Sequence, residues 1–126
     1  MTFESWLFSA KRAWQDPWVK GAIVCTALVV LVGSGWFSWQ VIHLRHAPQG
    51  LLVFHYTIYF GIDAMKPWGW MFVLPLTWIL WTVVDVLWAF GVYREDMHQA
   101  WALLFAASVW SIPWMMTLWH LVRMNQ

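Results

Sequence analysis

The chain has 126 residues, of which 62% are hydrophobic and only 10% charged, and its formal net charge is +1. A soluble domain carries roughly a quarter of its residues charged, and a core of this size could not hide so much apolar surface, whereas a bilayer can. The weak net charge excludes a basic field for nucleic acid, and the single cysteine, Cys25, excludes an internal disulfide. Lying inside an apolar run, Cys25 reads as a small packing residue.

Residues 2–15 place Phe3, Trp6, Leu7, Ala10 and Trp14 at helical spacing, with Glu4, Lys11, Arg12 and Gln15 mostly opposite. This pattern predicts an amphipathic helix lying flat on a membrane interface, capped by Thr2 and stopped by Pro17. A first span follows over 20–42. No charged residue falls between Gly21 and Ile42, which matches the ~20 residues needed to cross hydrocarbon. The run ends without a small-residue cleavage site, so it reads as a retained span and not a signal peptide. Ala22-Ile23-Val24 before Cys25 is also a poor lipoprotein site. Small residues four apart, such as Gly21 and Cys25 or Ala22 and Thr26, have the spacing that lets helices approach closely in lipid.

An aromatic connector occupies 43–69. His43, Arg45 and His46 mark the exit from the span, with Pro48 and Gly50 as breakers. His43 and His46 stand three apart, but the proline interrupts the helix and no third ligand is near, so no metal site is predicted. Within Leu51–Ala64, Val53, His55, Thr57 and Tyr59 alternate with Phe54, Tyr56, Ile58 and Phe60. A period of two in strand-forming residues predicts a short extended, β-like segment, paired as a hairpin or tucked over the helix ends. Gly61 supplies a turn and Asp63 a turn or helix cap.

The second span runs over 70–92, with Pro75 in its first turns and Asp85 inside it. The polar turn Arg94-Glu95-Asp96 forces the third span, 99–122, antiparallel, with Pro113 past its middle. The expected architecture is therefore an all-α membrane protein: three transmembrane helices in a single domain, an N-terminal interfacial helix and an extended connector. An inside N-terminus collects Lys11, Arg12, Lys20 and Arg94 on the cytoplasmic side and leaves Arg45, Lys66 and Arg123 outside.

The run HYTIYFGID at 55–63, a Trp-rich start to the second span and VYRED at 92–96 together resemble a family of small bacterial three-span membrane proteins. That family carries a His-Tyr-x-Ile-Tyr-Phe-Gly-Ile-Asp signature, matched here by His55, Tyr56, Tyr59, Gly61 and Asp63. The resemblance covers residues 53 to about 122. It implies three spans and bacterial origin, and no activity; the expected location is the bacterial inner membrane. Thr57 stands where the signature has Asn, and these spans are richer in Trp than the Leu- and Ile-rich relatives.

Asp85 is the sharpest chemical signal. About seven residues from the end of its span, it lies roughly ten ångströms deep at 1.5 Å per residue, where ionisation is costly. Trp78, Trp81 and Trp88 share its helical face, and by depth Thr26 and Ser108 are its expected partners. Such a carboxylate reads either as a proton or ion relay or as a polar contact between helices, worth about 0.6 kcal/mol. His55, His98 and His120 are candidate axial ligands for a pigment or haem. Of the 14 tryptophans, many suit interfacial belts, but Trp78, Trp81, Trp110 and Trp114 fall near mid-span and are expected to face another subunit, a pigment or lipid. With no nucleophile–base pair, phosphate loop or metal cluster, catalysis is not expected. The leading expectation is an accessory subunit of a membrane complex or a homo-oligomer. A proton-coupled carrier using Asp85 and a pigment-binding subunit are the alternatives.

Overall fold

In the computed structural model of the chain, which describes residues 2–44, 51–57 and 61–126, the starts of three α-helices are set by local signals. Helix α1, Phe3–Gln15, is capped by Thr2, whose Oγ1 accepts the Ser5 N–H at 3.3 Å. Glu4 in its first turn and Arg12 in its last complement the helix dipole. Helix α2, Pro17–Leu44, starts one residue after Asp16, whose Oδ1 accepts the Trp18 N–H at 2.9 Å. Pro17 therefore both stops α1 and opens α2, where a missing N–H costs nothing.

The extended connector is one arm of an antiparallel hairpin. Strand β1, Leu51–Thr57, pairs with β2, Gly61–Pro67, with Leu51 opposite Pro67 and Thr57 opposite Gly61. The register slips between Val53 and Tyr56, as at a bulge. Asp63 accordingly sits within β2 and not at a helix cap, because pairing with β1 extends the strand past it. Tyr59, together with Arg45, His46, Pro48 and Gly50, lies outside the described residues.

A 3-10 helix, Trp68–Phe72, leads into α3, Val73–Val92. The α-helix thus begins three residues later than 70. Pro75 falls on its third position, where no intrahelical donor is needed. Helix α4, Met97–Met124, is capped by Asp96, whose Oδ1 accepts the Gln99 N–H at 3.0 Å. Three helical segments, 17–44, 68–92 and 97–124, are long and apolar enough to cross a membrane.

Cross-contacts set the topology. Thr26 meets Ser108 and Trp36 meets Trp119, so α2 and α4 run the same way. Asp16 meets Tyr93, and the Cβ position of Gly33 abuts the Trp78 ring, so α3 runs against both. One core joins Phe37, Val41, Leu52, Met71, Trp78 and Leu118 at the hairpin end. A second, of Ala13, Val19, Ala89, Ala100 and Leu104, lies under α1 at the other end. The hairpin is tied down by Asn125: its Oδ1 accepts the Val53 N–H at 2.6 Å, while its Nδ2 donates to Val53 O at 3.0 Å and to Leu121 O.

Gly33 is the point of closest approach. A Cβ there would overlap the Met115 sulfur and come within 2.9 Å of the buried Trp78 ring, whereas Gly21 has nothing within 4 Å. Gly33→Ala is expected to destabilise the bundle by about 1–3 kcal/mol, the usual cost of overpacking. Gly21→Ala, with open space and a gain in helix propensity, should instead stabilise by about 0.4–1 kcal/mol. Unfolding titrations in detergent, followed by tryptophan emission, measure both.

Candidate functional site

Helix α3 places Trp78, Thr82, Asp85 and Ala89 three or four residues apart, one line along the helix. Trp78 and Ala89 are buried, and Asp85 is partly buried between them. Trp81 and Trp88, one turn to either side of Asp85, stand 61% and 60% exposed. The carboxylate therefore sits where the inward line of α3 meets its outer aromatic surface.

Its expected partners are engaged elsewhere. The Thr26 and Ser108 hydroxyls lie 2.8 Å apart, each within hydrogen-bond distance of its own helix's carbonyl at Ala22 or Leu104. Side chains of this length reach their own preceding turn and each other before they reach a third helix. The pair links α2 to α4, and Asp85 takes no part in it. Among the described residues no donor is within hydrogen-bond distance of Asp85.

The mid-span tryptophans divide into two pairs. Trp78 is only 1% exposed, so it does not face outward as expected. The glycine at 33 leaves room for its ring inside the bundle, where it lies parallel to half-buried Trp114 at 6.3 Å. Trp81 and Trp110, the latter 64% exposed, are the ones on the outer surface. Toward the ends, indoles carry cations: Lys20 lies 5.6 Å from the Trp14 ring at one end, and at the other Lys66 lies 5.5 Å from Trp70 and Arg123 5.4 Å from Trp119. This is the arrangement of an aromatic belt with snorkelling cations.

His98 is exposed in the first turn of α4, and the side chain of His55 lies outside the described residues. His120 is exposed beside a groove of about 530 Å³ shared with Phe54, Leu74, Met116 and Met124. A separate cavity of about 450 Å³ between α2 and α4 is walled by Trp18, Gly21, Trp101, Phe105 and Ser108. Cys25 opens onto it, exposed where packing was expected, because the small residues of α2 face outward there.

A polar group not singled out from the sequence, Asp16, joins two elements. Its Oδ2 accepts the Tyr93 O–H at 2.7 Å while Oδ1 caps α2. Nearby, the Ser9 hydroxyl of α1 accepts the Arg94 N–H at 3.0 Å, and the Trp6 indole N–H donates to Leu87 O at 3.3 Å. These bonds fasten α1 across the α3–α4 turn. The available signal was local: an Asp directly before a proline that opens an apolar run is a helix-cap pattern.

Compared with known proteins, the chain matches no family model, no curated protein and no solved structure. The residues' roles therefore rest on their geometry. The Tyr93 hydrogen bond holds the Asp16 carboxyl below its ordinary 3.8, and the same bond raises the Tyr93 phenol above 10.0. A lowered acid confers stability that is present above the ordinary carboxylate range and lost as pH falls through the native pKa. A raised phenol confers stability that is present below 10.0 and lost as pH rises through its native pKa. Tyr93→Phe should weaken both limbs and cost about 0.5–1 kcal/mol at neutral pH, reduced by solvent screening of this half-open pair. Acid and alkaline unfolding midpoints of parent and variant test this.

Proposed function

We propose that the chain is a non-catalytic subunit of a larger membrane assembly or homo-oligomer, packing through its tryptophan-bearing spans. The observation that carries this reading is the exposure of Trp81 and Trp110, 61% and 64%, near the middle of two spans. Tryptophan favours the membrane–water interface, where its ring is apolar and its N–H is wet. At mid-span an outward indole leaves that donor in hydrocarbon, which is costly unless another chain accepts from it. The resemblance of residues 55–63 and 92–96 to a bacterial family favours the bacterial inner membrane, and the distribution of Lys and Arg favours a cytoplasmic N-terminus.

Gentle detergent extraction from native membranes, with mass and absorption spectrum recorded together, tests the reading. The expected result is a particle larger than the 14.9 kDa chain at fixed stoichiometry, loosened by Trp81→Ala or Trp110→Ala by about 2 kcal/mol, the scale of an interface anchor. Visible bands would assign a pigment to the tryptophan surface or the His120 groove. A stable colourless monomer would refute the assembly.

One observation favours a second reading, a proton-coupled carrier: the carboxylate of Asp85 lies within a span with no donor to it among the described residues. On that reading Asp85→Asn abolishes proton-driven flux in proteoliposomes and leaves the fold intact. Unchanged flux would eliminate it. Against it, none of the four described cavities is lined by Asp85.

A further inference from the structure

We infer that Asp85, bracketed by Trp81 and Trp88, is a docking point for a transmembrane helix of a different protein that carries a basic side chain at the same depth. The inference rests on the assembly reading and names the chemistry of the partner.

Four observations converge on it. First, Asp85 is the one Asp, Glu, Lys or Arg between Lys66 and Arg94, so its span has no internal counter-charge. Second, it is only partly buried, and the two residues a turn away on either side are exposed tryptophans, so the carboxylate is reachable from outside the bundle. Third, the neutral groups near its depth are committed: Thr26 and Ser108 to each other and to their own helices, Thr82 to Trp78 O at 2.9 Å. Fourth, the described basic residues lie toward the ends of the spans. Lys11, Arg12, Lys20 and Arg94 lie at one end of the spans, Lys66 and Arg123 at the other, and four of these six stack on aromatic rings there.

The fourth observation selects the occupant. A second copy in the same orientation brings to Asp85's depth the same residues that the first has there. It has no Lys or Arg to offer at that level. A carboxylate in hydrocarbon is stabilised by an opposite charge or by several strong donors. A guanidinium or ammonium from another protein supplies either, and indole is the ring type that attracts such a cation most strongly. Aromatic walls around a central charge pair also exclude lipid and water from it, the usual surround of an interface hot spot.

A photo-crosslinking residue placed at position 81 or 88 in native membranes, with exposed position 105 beside the α2–α4 cavity as the control, tests the inference. The cross-linked peptide is then sequenced. The expected partner peptide is a transmembrane segment with Lys or Arg within one helical turn of the link. Asp85→Asn and Asp85→Leu should lower the yield by about tenfold, the effect of losing roughly 1.4 kcal/mol, and Asp85→Glu should keep most of it. Exchanging the charges, Asp85→Lys with an acid at the partner's basic position, should restore capture. Helical circular dichroism and tryptophan emission unchanged from the parent show that each variant is folded. Links to a second copy of this chain, to lipid alone, or to a segment without a basic residue would overturn the inference, as would full capture by folded Asp85→Leu. If the chain is a monomer on extraction, the assembly reading itself fails. If the assembly persists in Asp85→Leu, only the present inference does.

Discussion

The meeting of three helices at Gly33 is the constraint on which the bundle depends. Because α2 has no side chain at that position, the Trp78 ring of α3 and the thioether of Met115 on α4 fill the space against its backbone. Trp78 can then lie fully buried and parallel to Trp114, where one indole supplies contact area that several aliphatic residues would otherwise have to provide. For helices that cross a membrane the hydrophobic effect gives little reason to associate, and close packing of this kind is what supplies attraction there. Ser34, the next residue, is buried with its hydroxyl unpartnered among the described residues.

Away from that junction the bundle is fixed at its two ends by polar groups in different ways. At one end Asp16 joins the start of α2 to Tyr93 beyond α3, while Ser9 of α1 accepts from Arg94. At the other, the Asn125 amide pairs with both backbone groups of Val53, in the manner of a neighbouring strand. A two-stranded hairpin is marginal on its own, and this clamp, with Leu52 buried against Phe37 and Leu121 in the adjoining core, holds it across the helix ends. The polar bonds lie where backbone groups run out of helical partners, and the packed rings lie between.

How much of this was legible follows from the range of each signal. The limits of α1 were readable because Thr2 and Pro17 act over one turn, and the alternation from Val53 marked a strand because period two is local. Helix α2, Pro17–Leu44, runs past the expected 20–42 at both ends because helix continues beyond the uncharged stretch. The partner strand Gly61–Pro67 was not marked by alternation, since GIDAMKP has none and owes its extension to pairing. The late start of α3 reflects Trp68–Phe72 winding more tightly, which hydropathy cannot register. At the site, Asp85 stood out because a carboxylate in an apolar run is conspicuous in any single sequence. Its partners were misassigned because depth fixes a level but not an azimuth: Thr26 and Ser108 are paired with each other across the α2–α4 contact. The same ambiguity placed Trp78 outside. Four mid-span tryptophans look equivalent in sequence, and only the glycine on another helix decides which of them turns inward.

That division of the tryptophans bears on what the outer surface of α3 is for. A bundle that already buries Trp78 and stacks Trp114 beside it gains nothing for its own cohesion from Trp81, Trp88 or Trp110, which remain exposed. Lipid requires no indole at mid-span, and leucine would satisfy it at lower cost. Asp85 is still less suited to lipid, and it falls between two of those rings. Stability of the isolated chain would be served by replacing all four residues with aliphatic ones. The assembly proposed above would give them a use, through a second surface able to accept from the indoles and neutralise the acid.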